Sequence, residues 1–362
     1  MWLRSPPSPF PWNVVVCDRA AEQGHVHILQ WLRAQQPPCP WHVWTCAHAV
    51  QKGQFHIVQW LREQNPPCPW DEQTCVYAAQ RGELHVLQWL REQKPPCPWD
   101  VRTFTEAARH GDMEVLQWLH QQGCPWSIRT CDAAASQGRL PILQWLRQQG
   151  CPWVSTVCSN AAAHGHLHVL QWISTQSTPS FWSGKDTWNY AAGHGHLHVL
   201  QWLRNQDSSC PWDEFTCTSA AGNGHWGVLQ WLHQNGCPWG PQTCAQAAHY
   251  NHWPILQWLR QNGCPWDKHT CGWAAGSGHL HILLWLRDQD PPCPWDPVAC
   301  MNSSAYCWRS DQYDARQGLA VRHGWKWEPR LTQWLKVIQN TLEDSLPAFL
   351  CRDVLTLVQR YV

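Results

Sequence analysis

The sequence predicts an all-α fold in which short helix-turn-helix units stack into a solenoid. Two ladders of tryptophan carry this prediction. One tryptophan, usually in Cys-Pro-Trp, recurs at intervals of mostly 29 or 27 residues, at positions 12, 41, 70, 99, 126, 153, 182, 212, 239, 266 and 295. A second, in Gln-Trp-Leu or a close variant, keeps the same register from Trp31 to Trp285. Self-similarity at a fixed period is typical of repeat proteins, whose small units bury one another.

The repeats divide the chain into three parts. We expect a Pro-rich N-terminal segment at 1–11, about ten repeats of 27–30 residues over 12–300, and a degenerate terminal repeat with a helical cap over 301–362. The repeat decays where Ser303 and Ser304 replace an alanine pair. Because a repeat array is one continuous body, the chain length does not require two globular domains.

The composition excludes several classes of function. Acidic and basic residues balance at 26 each, and charged residues make up only 14% of the chain, against a usual share of about a quarter. This balance leaves no basic surface for nucleic acid or an anionic membrane. No apolar segment is long enough for a signal peptide or a membrane span. We therefore expect the 20 cysteines to be reduced thiols in an intracellular, cytoplasmic monomer.

The first helix of each repeat is illustrated by residues 71–82. Asp71 is expected to cap this helix by accepting hydrogen bonds from its open backbone amides, and Thr74 is a rival cap. An Ala-Ala pair allows close approach of a neighbouring helix. Gly82 is expected to end the helix with a positive φ, and Asn251 takes the place of this glycine in one repeat.

The second helix has more apolar than polar positions, so we expect it to be buried on most sides. In the same repeat the apolar residues are Leu84, Val86, Leu87, Trp89 and Leu90, and the polar residues are His85, Gln88 and Arg91. Pro141 and Pro254 stand at the position of His85 in their repeats. Proline is tolerated only in the first helical turn, so these residues predict where the helix begins.

The loop after the second helix explains the two repeat lengths. A single glycine, as at Gly123, gives an interval of 27 residues, whereas a proline pair, as at Pro66-Pro67, gives 29. Glycine ends a helix by adopting the left-handed conformation, and proline ends it by excluding the α conformation from the preceding residue. Variation confined to this loop leaves helix stacking unchanged.

A longer string identifies the kind of repeat. Thr-Cys-x-x-Ala-Ala-x-x-Gly-His-Leu-His-Val-Leu-Gln-Trp-Leu is nearly complete from Cys158 to Trp172 and from Cys271 to Trp285. It resembles the ankyrin motif Thr-Pro-Leu-His-x-Ala-Ala-x-x-Gly-His-x-x-Val-Val-x-x-Leu-Leu, although cysteine replaces proline after threonine. The resemblance implies an ankyrin-like solenoid with shortened loops in place of full β-hairpins, because the ankyrin period is about 33.

Short repeats with Cys-Pro-Trp are similar to ankyrin-like repeats of giant DNA viruses and of some algae and oomycetes. A viral member would act in the host cytoplasm. Tetratricopeptide and HEAT arrays are the alternative helical solenoids. The loop tryptophans are expected to close the seam between repeats, because each ring contributes about 150 to 250 Å² of surface.

The cysteines are expected to fill space rather than bind metal. No Cys-x-x-Cys pair occurs, and stacked helices lie about 8 to 10 Å apart, too far for equivalent cysteines to share zinc at Zn–S bonds of about 2.3 Å. Phe104 and Trp188 replace the cysteine after threonine in two repeats, which indicates an apolar role. A redox or zinc protein, the alternative, requires low-pKa thiolates.

Histidine clusters such as His164, His166 and His168 are not expected to bind metal either, since residues two apart point to different sides of a helix. In ankyrin repeats the turn histidine bonds to neighbouring backbone, and the resemblance implies the same here. An enzyme needs one asymmetric constellation of groups, but every candidate cysteine or histidine is copied many times. We therefore expect a non-enzymatic protein without cofactors.

One face of the repeat changes from copy to copy while the scaffold is constant. In ankyrin-like arrays the first helix and loop form the binding surface for a protein partner. The candidate partner-binding residues are Tyr77, Arg81, Glu106, Arg109, His110, Asn160, His164, Tyr190, Gln246, Tyr250 and Trp273. Neutral variation on a solvated face is the alternative explanation. The identity of the partner is not encoded in any motif.

The C-terminal segment carries a second hypothesis. A Leu-Pro pair followed by an amphipathic helix resembles part of an F-box, or the F-box-like motif of poxvirus ankyrin proteins that recruits ubiquitin-ligase machinery. The residues that would dock a ubiquitin-ligase component are Leu346, Pro347, Leu350, Val354, Leu357 and Tyr361. The protein would then be a substrate-recognition adaptor. The alternative is a helix that only seals the last repeat.

Overall fold

A computed structural model describes residues 13–177, 181, 184–206 and 211–294, all within the unit Met1–Ser304, the larger of the two into which the chain divides. Across these ranges there are 20 helices and no strand, arranged as a first and a second helix in each of ten successive repeats. The helices are α1 (Val14–Glu22), α2 (Val26–Arg33), α3 (Val43–Gln51), α4 (Phe55–Glu63), α5 (Glu72–Gln80), α6 (Leu84–Glu92), α7 (Val101–His110), α8 (Met113–Gln121), α9 (Ile128–Ser136), α10 (Leu140–Gln148), α11 (Thr156–Ala163), α12 (Leu167–Gln176), α13 (Lys185–Gly193), α14 (Leu197–Gln206), α15 (Glu214–Gly222), α16 (Trp226–Gln234), α17 (Pro241–His249), α18 (Trp253–Gln261), α19 (Lys268–Gly276) and α20 (Leu280–Asp288). Odd numbers are first helices and even numbers second helices.

The helices pack as a solenoid. Each first helix lies against the first helices of the neighbouring repeats and against the second helix of its own repeat. Ala78 and Ala79 show why the first helices approach so closely, since both are fully buried and their methyl groups leave little distance between backbones. A single hydrophobic core of alanine, cysteine, leucine, valine and isoleucine side chains runs from Cys17 to Cys293. The predicted all-helical repeat architecture is therefore confirmed.

Four of the described first helices, α5, α7, α15 and α19, begin at an aspartate whose carboxylate caps the helix, as predicted. The carboxylate of Asp71 accepts a hydrogen bond from the backbone N–H of Gln73 at 3.1 Å. Thr74 lies inside α5 and is fully buried, so the rival assignment of Thr74 as the cap is wrong. The threonine at this position has another role in several repeats. At Asp213, for example, the backbone N–H donates to Thr216 Oγ1 at 3.3 Å, which completes a reciprocal cap.

The glycine between the two helices is required for two reasons. Gly165 has a φ of +72°, and Asn251, which replaces this glycine in repeat 9, has a φ of +62°, so the predicted left-handed conformation is confirmed. In addition, a Cβ atom on Gly165 would lie 2.6 Å from Nδ1 of His196 in the next repeat. A side chain at this glycine would therefore disturb the packing between repeats as well as the turn.

Both predicted loop types are present. Gly123 follows α8 with a φ of +73°. In the proline loops α4 ends at Glu63 and Gln64 is already extended, two residues before Pro66, and the Gln36–Pro37, Asn65–Pro66, Lys94–Pro95 and Asp290–Pro291 peptide bonds are cis. The second residues of α10 and α18 are prolines, as expected for a first helical turn.

The second helices are less buried than the sequence predicts. In α6, Val86, Leu87 and Leu90 are buried, but Leu84 and Trp89 are only partly buried and His85 is exposed. One side of the helix faces its own first helix and the core. In the described repeats no third layer of helices covers the other side, so the expectation of burial on most sides is wrong.

Several predicted features lie outside the described residues. They are the N-terminal segment 1–11, the loop tryptophans Trp12, Trp182 and Trp295, the terminal region 301–362, and the proposed ligase-docking residues Leu346, Pro347, Leu350, Val354, Leu357 and Tyr361. Within the described part of the chain, no helix has both the length and the apolar character needed to cross a bilayer.

Candidate interaction surface

The cysteines lie inside the repeats. All 16 described cysteines are buried free thiols. The two cysteine columns meet within several repeats. For example, Cys75 Sγ in α5 lies 3.9 Å from the carbonyl oxygen of Cys97, and Cys97 Sγ lies 3.4 Å from the carbonyl oxygen of Asp71. This pairing was not predicted, because the two cysteines lie 22 residues apart and no local rule joins them. A loop cysteine thus ties the end of its repeat to the start of the first helix.

Burial raises the pKa of several of these thiols. Desolvation raises the pKa of Cys124 and of Cys158 to about 12 in each case, because a thiolate is poorly solvated in an apolar core. Burial likewise raises the pKa of Cys97. Phe104 and Trp188, which replace a cysteine of the helical column, are both fully buried. The predicted apolar filling role of this column is confirmed by these two substitutions.

The loop tryptophans join consecutive repeats. The ring of Trp99 meets the ring of Trp118 in the next second helix edge-on, with centroids 5.9 Å apart. The guanidinium of Arg91 lies 4.0 Å from the centroid of Trp99 and also donates to the carbonyl oxygen of Cys97 at 2.7 Å. The predicted seam is confirmed. The cationic partner was missed, although an arginine six residues before this cysteine is visible in the sequence.

The arginine position is occupied by histidine in two repeats. His120 stacks on Trp126 with centroids 4.5 Å apart, and His233 stacks on Trp239 at 3.9 Å. A planar cation or a planar imidazole therefore covers the tryptophan face in most repeats. The described loop tryptophans with these contacts therefore belong to a regular structural surface formed with the ends of the second helices.

The turn histidines form a second ladder of contacts between repeats. In five repeats the Nε2 atom of the histidine after the turn glycine, or after Asn251 in repeat 9, donates to the last carbonyl of the preceding first helix. The pairs, each at 3.0 Å, are His166 with Ser136, His196 with Ala163, His225 with Gly193, His252 with Gly222, and His279 with His249. The backbone role expected for the turn histidine is confirmed.

Burial lowers the pKa of His166, His196 and His225, because the charged imidazolium loses hydration beside the neighbouring repeat. Each ring therefore favours the neutral form, in which Nε2–H is the donor. Among the described residues, no three histidine, cysteine or carboxylate side chains come together as a possible metal site.

The candidate partner-binding residues share one helix face. They lie two residues after the position of the helical cysteine, or three or four residues further on, and such residues are neighbours on a helix surface. None of them is buried. Tyr190 and Tyr250 are 49% and 56% exposed. Glu106 and Arg109 form an ion pair at 3.4 Å, and the ring of Trp273 lies 5.5 Å from that of His249.

Two exposed aromatic residues beside this face were missed by the sequence analysis. Phe215, at the second position of α15, is 67% exposed, and Trp44 occupies the same position in α3 and is 40% exposed. The exposure of these residues could have been predicted from their position at the start of the first helix. The second residue of a first helix points away from the buried threonine and cysteine that follow it, so an aromatic residue there is exposed.

No protein-family model matches the chain, and no curated protein is significantly similar to it. The described geometry defines a helical repeat protein with an accessible, varied first-helix face and a regular second-helix side.

Proposed function

We propose that this protein is a non-enzymatic, ankyrin-like scaffold that binds another protein along the first-helix and loop face. One observation carries the proposal: the accessible positions of the first helices differ between repeats, whereas the buried positions repeat the same residues. The position two residues after the helical cysteine column holds Tyr77, Glu106, Asn160, Tyr190, Gln246 and Trp273 in different repeats. A purely structural face would have no need for this variety of aromatic, charged and amide groups.

The ankyrin-like part of the proposal is supported by the turn. A left-handed glycine and a histidine that bonds the preceding repeat occur together in repeats 6, 7 and 8. These are the residues that the ankyrin motif shares with this chain. The shortened loop accounts for the shorter period.

The chemistry of the face favours a protein partner. Tyrosine, tryptophan and arginine dominate the binding energy of protein interfaces, and this face exposes Tyr190, Tyr250 and Phe215 in repeats 7 to 9. We expect these three aromatic residues to contribute most of the binding energy of the interface.

The test is capture of partners by the full chain at neutral pH, identified by mass spectrometry and then measured by titration. The double variant Tyr190→Ala/Tyr250→Ala should weaken the captured partner by at least about 2 kcal/mol, the usual threshold for a central aromatic contact. The control Ile28→Ala/His85→Ala removes exposed side chains of second helices and should leave affinity unchanged. Equal loss in both variants would show that binding does not use the first-helix face.

The adaptor hypothesis adds a second partner. It is favoured by the Leu346-Pro347 pair and the apolar stripe that follows it. The variant Leu350→Glu/Leu357→Glu of the full chain should lose capture of a ubiquitin-ligase component while keeping the partner of the first-helix face. Retention of the ligase component by this variant would contradict the docking assignment.

A further inference from the structure

Each repeat presents three residues along the turn between its helices: the residue before the turn glycine, the residue after it, and the second residue of the second helix. We call this row the turn edge. In repeats 6 and 7 all of these positions are histidine: His164, His166 and His168, then His194, His196 and His198. Repeats 8, 9 and 10 continue the row with His225, His252, His279 and His281.

The rings of this row are close together and are held in place. The centroids of His164 and His166 lie 6.2 Å apart, and those of His166 and His168 lie 5.9 Å apart. The equivalent pair His196 and His198 is separated by 5.8 Å. His164, His168, His194 and His198 are exposed.

Each exposed ring uses one nitrogen to hold its position. Nδ1 of His164 bonds the carbonyl oxygen of Asn160 at 2.9 Å, and Nε2 of His168 bonds the carbonyl oxygen of Gly138 at 3.0 Å. His194 and His198 repeat these contacts in the next repeat. A carbonyl only accepts, so the bonded nitrogen carries the hydrogen. Protonation of the other nitrogen therefore leaves each bond intact and charges the ring in place.

The turn edge carries no carboxylate in repeats 5 to 10. Repeat 5 contributes Gln137, Arg139 and Pro141, repeat 8 contributes Asn223, His225 and Gly227, repeat 9 contributes Tyr250, His252 and Pro254, and repeat 10 contributes Ser277, His279 and His281. The turn edge of repeats 3 and 4 differs, because it includes Glu83, Asp112 and Glu114.

Other charged groups lie at the opposite end or in the middle of the first helices. Lys185 and Asp186 begin α13, about 13 Å along this nine-residue helix from His194, and Lys185 pairs with Asp213 at 3.2 Å. Asp132 lies in the middle of α9 and accepts a hydrogen bond at 2.8 Å from Oγ1 of Thr156, the first residue of α11. The titratable neighbours of His196 are themselves histidines, His194, His198 and His164.

We propose that the turn edge of repeats 6 and 7 binds an acidic segment of a protein partner, and that it binds this segment more tightly below neutral pH. This inference rests on the proposed function, since it names the chemistry of one partner segment. Imidazole is the side chain that gains its charge between about pH 8 and pH 5. In these two repeats no acidic group on the row offsets that charge, so carboxylates are the complementary groups.

The length scale of the row suits an extended acidic peptide. Neighbouring repeats are about 10 Å apart, and an extended chain advances about 3.3 Å per residue. A carboxylate at every third residue would therefore meet one repeat after another. A nucleic acid fits less well. A single strand carries one phosphate per about 3.4 Å, and so dense a charge is best matched by several arginine or lysine side chains. The turn edge of repeats 5 to 10 has one such residue, Arg139.

The probe for the test is a fluorescein-labelled polyglutamate peptide, titrated with the full chain at about pH 7.5 and about pH 5.5, on either side of the ordinary imidazole pKa. We expect binding to be about tenfold tighter at the lower pH, since each exposed ion pair contributes a few-fold. The variant His164→Gln/His168→Gln/His194→Gln/His198→Gln should lose this gain.

The matched control is His27→Gln/His56→Gln/His85→Gln. These exposed histidines occupy the position of His168 in repeats 1 to 3, so the control removes similar charge from another part of the same edge. It should keep the gain at low pH. Circular dichroism monitors folding of each variant. If the larger variant unfolds, the smaller variant His168→Gln/His198→Gln replaces it. We expect this variant to lose about half of the gain at low pH, measured as the change in the logarithm of affinity.

Three results would overturn the inference: binding that is independent of pH, equal loss in the control, or tighter binding of a single-stranded oligonucleotide than of the peptide. The outcome is distinguishable from that of the proposed function. Loss of partner capture in Tyr190→Ala/Tyr250→Ala at neutral pH tests the proposed function, whereas the dependence of peptide binding on pH and on the four histidines of repeats 6 and 7 tests this inference.

Discussion

The N-terminal repeats and the histidine-rich repeats build the same contact from different chemistry. In repeat 3 the guanidinium of Arg81 covers Gly53 and donates to the carbonyl oxygen of Gln51 at 3.3 Å. In repeats 6 to 10 a histidine ring serves the equivalent carbonyl of the preceding first helix at 3.0 Å. A guanidinium stays charged at every physiological pH, whereas an imidazole changes its charge. One scaffold contact is therefore insensitive to pH at one end of the array and sensitive to it further along.

The neighbouring charges follow the same division. Arg81 pairs with Glu83 at 2.9 Å, and Lys52 pairs with Glu22 at 3.5 Å, both on the turn side of the first repeats. Exposed ion pairs of this kind contribute little energy, but they keep the local charge balanced. In repeats 6 and 7 the same side carries imidazoles alone. The group over the glycine can therefore be a permanently charged, flexible arginine or a titratable histidine ring, and the same helix end is served in both cases.

We expect the largest loss of stability where the turn glycine is covered by a rigid histidine ring, and a smaller loss where it is covered by a flexible arginine side chain. Gly165→Ala should destabilise the protein by about 3 kcal/mol, because alanine resists a positive φ and its Cβ would meet the His196 ring. Gly53→Ala should cost less, since the tip of Arg81 can move away. Gly123 has a similar φ, but a Cβ atom there would have no neighbour within 4 Å, so Gly123→Ala should cost about 1 kcal/mol.

Urea unfolding at neutral pH, followed by tryptophan fluorescence, measures these three variants. Equal destabilisation by Gly165→Ala and Gly123→Ala would show that the ring contact contributes nothing beyond the backbone conformation. A larger loss for Gly53→Ala than for Gly165→Ala would contradict the distinction between a flexible arginine and a fixed histidine.

A smaller effect is expected on acidification. The pKa values of His166, His196 and His225 are lowered by burial in the folded state. The unfolded chain therefore binds more protons than the folded chain as pH falls below the ordinary histidine pKa of about 6.5. The stability contributed by the neutral rings is fully present above that pH and is lost progressively below it.

Hydrogen exchange monitored by mass spectrometry, corrected for intrinsic rates, should show this loss in α11 to α16 before it appears in α3 to α6. The measurement is made on the full chain at about pH 7.5 and about pH 5.5. A uniform loss of protection along the array would mean that the histidine ladder does not set the pH response.

The smallest effect concerns a contact common to both parts of the array. Arg91→Lys should destabilise the protein by about 1 kcal/mol, because lysine loses both planar stacking on Trp99 and the fixed hydrogen bond to Cys97. Arg260→Lys, which affects the arginine over Trp266, should cost a similar amount. Urea titrations compare the two variants, and a difference above about 1 kcal/mol would show that the seam also varies along the chain.

The local features of the fold could be predicted because they obey backbone rules within a few residues. Asp71 caps a helix because its carboxylate reaches an amide two residues later. Gly82 and Asn251 end their helices because they accept a left-handed conformation. The expectation of burial on most sides failed for the second helices, since periodicity identifies apolar positions but not the number of layers that cover them.

The candidate surface was predicted only in part. Variation between copies selected residues of the first helix that are accessible, including Tyr190 and Tyr250. It missed Phe215 and Trp44, because an apolar residue at a helix start is equally compatible with a place in the scaffold. It also missed the contact of Arg91 with Trp99, since a ring partner eight residues away has no local rule.

The sequence by itself determined the repeat length, the helix ends, the two loop types and the apolar role of the helical cysteine column, because each depends on neighbours along the chain or on repetition in register. Only the tertiary structure decided which side chain serves each carbonyl between repeats. Arg81 and His196 reach equivalent acceptors from different positions of their repeats. Such partners lie about one repeat apart in the chain, and their meeting depends on how one repeat is rotated and shifted on the next.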